Sequence, residues 1–278
     1  MPADGARRHL IAPDSFKGTF SAAEVAATIA RGIGEAGGEA DSCPVADGGE
    51  GTLDVLLAAR GGSRVEAGAH DPLRRPIRAG FGSLAGGETA VVEVAAASGL
   101  PLLAPQERDP ERADSFGTGE LIAAAIAAGA TTVLVAAGGS ATTDGGRGAI
   151  EALRAAGVIE GVQLEILCDT ETAYEDAARV FAPQKGAGPE AVARLEKRLA
   201  EFAASLPRDP RGVAMGGCAG GLSGGLMAAF GARLRPGAAF VLDSVGFDSR
   251  LAAADAVIAG EGQVDEQSLG GKIVGAVA

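Results

Sequence analysis

The hydrophobic positions of the chain change period several times, and each change marks an element. "HLIAPDSF" opens with a short apolar run that passes into a loop, the pattern of a buried strand. In "SAAEVAATIARGIGEAG" the apolar residues fall at helical spacing, with Ser21 at the N-cap position, Glu24 three residues on, and Gly37 or Gly38 as the stop. "SCPVADGGEGT" returns to strand and then to a glycine loop, and "TLDVLLAARGG" predicts a second, shorter helix. Strand, helix, strand, helix at this spacing predicts an α/β unit with a parallel sheet.

Residues 64–100 alternate instead, with turn residues at "HDP" and "AGGE", which predicts a β-meander or hairpin region and a domain boundary near residue 66. From 117 the α/β rhythm resumes, with "GTGELIAAAIAAGA" as helix and "TTVLVAA" as strand leading into "GGSATTDGG". Residues 189–205 predict an amphipathic helix with Pro189 in its first turn. "LAAADAVIAGEG" (251–262) predicts a helix end and a strand that runs into a third glycine loop. "GGCAGGLSGGLMAAFG" (216–231) repeats paired glycines every four residues, as a close-packed helix face or a further anion loop, with close packing favoured. The final "GGKIVGAVA" is a helix pattern without cap, breaker or polar tail.

At 278 residues the chain has room for one large or two ordinary domains. Aromatic residues make up only 4% and Trp is absent, so the core has to be built from Ala, Val, Leu and Ile. A net charge of −12 argues against nucleic acid or an anionic membrane surface as partner, while leaving room for a small anionic substrate held by a few local cations. Cys43, Cys168 and Cys218 lie far apart with no CxxC pair and predict reduced, mostly buried thiols in a cytoplasmic protein. His9 and His70 lack partners at ligand spacing, which disfavours a histidine-based zinc site. The charge-free run 121–143 is nominally long enough to span a bilayer, but Gly129 and the threonine pair divide it into helix, turn and strand.

The three glycine loops, "VADGGEGT", "GGSATTDGG" and "AGEGQVDEQSLGGK", each follow a strand-like run, so an open α/β sheet could gather them in one crevice at its carboxyl edge. Bare backbone lets N–H groups approach an anion, and adjacent acids suit a divalent cation that bridges phosphate oxygens. Lysine usage sharpens the point. The chain has 20 Arg but only four Lys, and three of them, Lys17, Lys185 and Lys272, touch glycine in "DSFKGT", "APQKGAG" and "SLGGKIV". Lys197 sits on the amphipathic helix, where a solvent face explains it. The Walker A spacing GxxxxGK[ST] is absent, as is a GxGxxG after a strand, and no GxSxG elbow supports a serine hydrolase.

In order along the chain, "IAPDSFKGTFSAAEVA", "PVADGGEGT", "VEVAAASGL", "SFGTGELI", "AAGGSATTDGG", "FAPQKGA" and "GEGQVDEQSLGGK" resemble the bacterial glycerate kinase family, over nearly the whole chain. The resemblance implies ATP- and Mg2+-dependent transfer of the γ-phosphoryl group to D-glycerate, giving 2-phosphoglycerate, with 3-phosphoglycerate as the alternative product. It also implies two α/β domains, a Rossmann-like one (1–66 and 255–278) with a larger α/β domain (67–254) inserted into it. The chain departs from the family pattern in two places. Only "VIEG" stands between "GAIEALRAAG" and the strand "VQLEILCD", and "CDTETAYEDAARVFAPQKG" replaces a stretch with an Asn-Pro turn. Relatives also continue beyond the "GK" helix, so a non-catalytic remnant or a truncated, anion-binding fragment of such a kinase is the alternative reading. A sheet edge in need of cover would favour a homodimer.

Phosphoryl transfer asks for positioning, charge stabilisation and a carboxylate to orient the attacking hydroxyl. Asp144 is the first choice for that carboxylate or for a magnesium ligand, joined among catalytic candidates by Lys17, Lys272 and Asp265. Gly138, Gly139 and Ser140 form the expected phosphate cradle, with Lys185, Glu261 and Ser268 on the nucleotide side. Asp14, Asp47 and Glu50 are expected at the glycerate, with Asp47 also a candidate metal ligand. The resemblance supports these positions as a group. Asp14 and Asp47 could equally be turn residues, and Asp265 with Ser268 a helix N-cap pair.

Overall fold

A computed structural model describes residues 7–16, 18–157, 159–262 and 273–277. Its strands form two sheets. In the smaller, wholly parallel one, β1 (Arg8–Pro13) lies between β2 (Glu39–Ser42) and β9 (Ala256–Gly260). The larger sheet runs in simple chain order: β3 (Gly62–His70), β4 (Pro76–Leu84), β5 (Thr89–Glu93), β6 (Thr132–Ala136), β7 (Gln163–Cys168) and β8 (Arg233–Pro236). β3, β4 and β5 pair antiparallel, the hairpin region the alternation predicted, and β5 to β8 pair parallel.

β2 begins upstream of the expected "SCPV". It is an edge strand with exposed acids, so its apolar signal is weak. Its ladder to β1 carries on through that segment, since the Cys43 N–H donates to the Ile11 carbonyl at 2.8 Å and the Val45 N–H to the Pro13 carbonyl at 3.0 Å. α1 (Ala22–Glu35) follows β1 and starts where its capping signal predicted. The Glu24 N–H donates to Ser21 Oγ and the Ser21 N–H to Glu24 Oε2, at 3.2 and 2.8 Å.

The larger sheet is covered on both faces, which is why its parallel strands are almost continuously apolar. Strand alternation sends Val133 and Val135 of β6 to one face and Leu134 to the other. The first face packs against α4 (Phe116–Ala127), α5 (Arg147–Ala156) and α8 (Cys218–Phe230), with the short α3 (Ala95–Ser98) following β5. The second packs against α2 (Thr52–Arg60) and α9 (Gly237–Ser244) through Leu53, Leu56, Phe240 and Val241. α9 also offers Ala238 to the core of the smaller sheet, beside Leu10, Ala12 and Val45, so this helix is wedged between the two sheets. α10 (Phe247–Leu251) and α11 (Ile273–Val277) complete that smaller core through Phe247 and Ile273. A satellite core under Tyr174 joins α6 (Ala177–Phe181) to α7 (Pro189–Ser205), the helix read from its amphipathic pattern.

The glycine pairs of α8 are packing residues, as favoured, though the segment is not one uninterrupted helix: Ala219, Gly220 and Gly221 are left-handed (φ 52°, 66° and 89°). A Cβ on Gly220 would stand 2.0 Å from the Thr142 carbonyl oxygen, and one on Gly225 would stand 2.0 Å from that of Gly145. α8 is therefore pressed backbone to backbone against the 142–146 loop and fixes its height above β6.

Gly225→Ala is expected to cost roughly 1–3 kcal/mol, because the obstructing atom is main chain and must shift. Gly32→Ala on α1, where an added Cβ meets nothing within 4 Å, should instead gain about 0.4–1 kcal/mol. Urea unfolding of both variants against the parent checks the pair through the shift in midpoint at constant slope.

Candidate active site

The carboxyl ends of β1, β2, β6 and β9 lead into the loops that sequence reading singled out. The loop at 45–52 carries Asp47, only 3% exposed, whose Oδ1 accepts from the Gly49 N–H at 2.9 Å. Gly48 adopts φ +96°, and a Cβ there would stand 2.7 Å from the Gly237 Cα at the start of α9. On Gly138, at the end of β6, an added Cβ would lie 2.6 Å from the Gly49 Cα. The two glycine loops thus touch through bare backbone.

The 137–146 loop is held from several sides. Leu100 N–H donates to the Gly139 carbonyl and Ala141 N–H to the Ser98 carbonyl, at 2.9 and 2.8 Å. Lys185 is 3% exposed, and its Nζ donates to Ser140 Oγ at 3.0 Å and to the Thr142 carbonyl at 2.5 Å. Burial pushes the Lys185 ammonium down to about 8, against the opposing pull of the Asp144 and Asp169 carboxylates. The bare backbone of Gly138 and Gly139 is of the kind that lets N–H groups approach an anion closely.

Asp144 is engaged on both oxygens. Oδ1 accepts from the Gly146 N–H, and Oδ2 from the Ser115 N–H, the Ser115 hydroxyl and the Gly148 N–H, all between 2.7 and 3.0 Å. Four donors match the lone-pair capacity of a carboxylate, and two of them belong to the start of α5. The side chain therefore builds the loop and caps a helix whose own N-cap residue, Gly146, has no side chain to offer.

Glu93, at the end of β5, does the same for α2. Its Oε1 accepts from the Gly51 and Leu53 N–H groups, both at 2.9 Å, and burial holds its carboxyl above the usual carboxylate range. Sequence reading missed this residue as a functional one, although an acid ending the buried run "TAVVE" was the available signal. Asp169, immediately after β7, was missed too; its Oδ2 lies 3.4 Å from where a Gly138 Cβ would stand.

The remaining candidates join this line of loops. Asp14 is 2% exposed, its N–H donates to the Gly260 carbonyl at 2.8 Å, and its Oδ1 accepts from the Ser15 N–H. Ser15 in turn lies beside Gly51. Ser15 Oγ and Glu261 Oε1 are buried without a hydrogen-bond partner among the described residues. Ser15, Glu50, Gly51 and Glu93 line a cavity of about 540 Å³ roofed by Phe20 and the start of α1. The structure thus brings together Asp14, Asp47, Glu50, Gly138, Gly139, Ser140 and Lys185, with Glu261 following β9; Asp144 stands at the base of its loop. Lys17, Asp265, Ser268 and Lys272 lie outside the described residues.

Among the described residues no group of three or more His, Cys, Asp and Glu side chains is spaced to hold a metal ion by itself. The donor set suits a cation that also takes ligand oxygens, and Asp47 is the carboxylate beside the 138–140 loop. No described helix is long and apolar enough to cross a membrane, and all three cysteines are free and buried.

These features are those of an α/β phosphotransferase, and comparison with known proteins gives the particular family. The glycerate kinase family profile matches residues 9–159 and 154–278, and the chain belongs to that family. It is 39% identical to the glycerate kinase of Bacillus subtilis (strain 168) over 95% of this chain and 78% of that one. To the glycerate 2-kinase of Escherichia coli (strain K12) the identity is 36% over 95% of this chain and 79% of that one. A solved structure assigned as glycerate kinase 2 from Salmonella typhimurium LT2 superposes with a TM-score of 0.82 at 36% identity, covering 98% of this chain and 83% of the other.

Lys185 supplies a pH test with a definite sign. Between about 8, its value in the fold, and the ordinary 10.5, the unfolded chain holds a proton that the folded chain has lost, so stability rises with pH across that window. Below about pH 8 the cost of burying the charge is present in full. Lys185→Met should flatten this rise, a difference on the order of 3 kcal/mol between the two proteins' pH profiles. Denaturant unfolding from pH 7 to 11 reads it.

Proposed function

We propose that this protein transfers the γ-phosphoryl group of ATP, presented with Mg2+, to a hydroxyl of D-glycerate, giving 2-phosphoglycerate. The observation that carries the reading is the backbone junction of the two glycine loops, which sets the bare backbone of Gly138 and Gly139 beside buried acids. Family membership supplies the substrate class, since the relatives named as glycerate kinases are matched over nearly all of this chain.

In this reading the N–H groups of Gly138, Gly139 and Ser140 receive phosphate oxygens, and Lys185 beneath them adds positive charge without leaving its buried seat. Asp14, Asp47 and Glu50 hold the glycerate hydroxyls, and Asp47 would also hold the magnesium ion. The ion, when bound, would neutralise charge developing on the transferred group. Asp144 serves by keeping the cradle loop and α5 in place, while Lys17, Asp265, Ser268 and Lys272 complete the set from the family motifs. We assign the smaller sheet with β9 to the Rossmann-like domain, the larger sheet to the inserted one, and the protein to the cytoplasm. For assembly we propose a homodimer, which a monomeric mass by light scattering would exclude.

ADP release by the 278-residue protein with Mg-ATP should depend on D-glycerate, and Lys272→Ala should lower it by about 10²-fold or more. Phosphorus NMR of the product should show the 2-phospho isomer; the 3-phospho isomer would reverse the regiochemical assignment. Folded protein that binds nucleotide without any glycerate-dependent turnover would overturn the kinase reading in favour of a non-catalytic remnant.

A further inference from the structure

The start of α2 raises a local problem. Gly51 is its N-cap residue, with φ +95°, a left-handed conformation that favours glycine over the Ser, Thr or Asp that would ordinarily cap a helix. The conformation that turns the 45–52 loop into the cleft therefore removes the side chain that would satisfy the first N–H groups of the helix. A glycine-rich loop leading into a helix start with free N–H donors is also the usual seat of a phosphate.

Here the seat is already taken. Glu93 reaches it from β5, and a single oxygen, Oε1, receives the N–H groups of both Gly51 and Leu53 at 2.9 Å. The side chain is half-buried, so its attraction to the helix terminus is less screened than that of a surface carboxylate. The segment it grips is the one that carries Asp47 and Glu50, and Glu93 also lines the cavity of about 540 Å³ into which Glu50 and Ser15 open. Asp47 shares this loop, which is thus held at two points, at Gly48 and Gly49 against Gly237 and Gly138 and at Gly51 by Glu93.

We infer that Glu93 is the positioning residue of the acceptor-substrate loop: its carboxylate stands as an internal anion at the start of α2 and so sets Asp47 and Glu50 for the hydroxyl-bearing substrate. The loop is thereby denied to phosphate, which is left to the cradle at 138–140. This rests on the kinase reading above for the identity of the substrate, but not for the occupancy of the helix start.

The test uses two substitutions of the full chain. Glu93→Ala removes the anchor, whereas Glu93→Gln keeps an oxygen that can accept from both N–H groups. Glu93→Ala should raise KM for D-glycerate roughly 10- to 100-fold with KM for Mg-ATP unchanged within about twofold, the cost of a loop displaced by about an ångström. Glu93→Gln should restore most of that loss. Sodium acetate should rescue Glu93→Ala, in KM and in thermal midpoint, where sodium chloride of equal ionic strength does not. A glutamine variant as impaired as alanine at an unchanged midpoint would overturn the inference, because it would put the charge itself in the chemistry. A rise in the KM for Mg-ATP in place of that for glycerate would overturn it as well. Should the parent protein show no turnover, the kinase reading fails by itself; acetate-specific recovery of the Glu93→Ala midpoint still supports occupancy of the helix start, and its absence overturns it.

Discussion

The contact on which the rest of the site depends is one of main chain against main chain, Gly49 on Gly138. An added Cβ on Gly138 would stand 2.6 Å from the Gly49 Cα, closer than a real Cβ comes, and one on Gly49 would stand 3.1 Å from the Gly138 Cα, tight enough to make its neighbour give. Gly48 repeats the arrangement against Gly237. Through these approaches the loop that follows β2 is seated on the ends of β6 and β7 and on the first turn of α9, so elements of both sheets meet at one seam. Interiors packed at this density transmit displacement rather than absorb it. A shift of either loop would therefore move buried acids and the N–H cradle together.

Around the seam, negative charge is used as a structural material. α1 is capped by Glu24, α2 by Glu93 and α5 by Asp144, so three helix starts carry carboxylates of the protein itself. The starts of α1, α2 and α5 are thereby satisfied from within the protein, and the 137–146 loop is held from beneath by buried Lys185.

Much of this was legible in the sequence because it is local. The capping box at Ser21, the period of residues 189–205 and the alternation over residues 64–100 all depend on neighbours a few positions away. What escaped was long-range. Glu93 acts on residues forty positions upstream, and Asp144 on Ser115 twenty-nine positions away, so neither partner is visible from local pattern. Glycine misleads in a particular way: the same absent Cβ serves phosphate approach and backbone packing. At Gly138 the structure uses it for packing against Gly49. The left-handed turn at Ala219–Gly221 was likewise hidden, since paired glycines do not announce the sign of φ.

Hydrogen–deuterium exchange of the full chain, with and without D-glycerate and a magnesium–nucleotide analogue that cannot be hydrolysed, tests the seam as the site most directly. Protection should appear at 45–52 with D-glycerate and at 137–142 with the nucleotide, and both segments should be protected together in the ternary mixture. Protection confined elsewhere, for instance to the separate cavity of about 500 Å³ beside Arg108 and Gly186, with exchange at the two glycine loops unchanged, would contradict it.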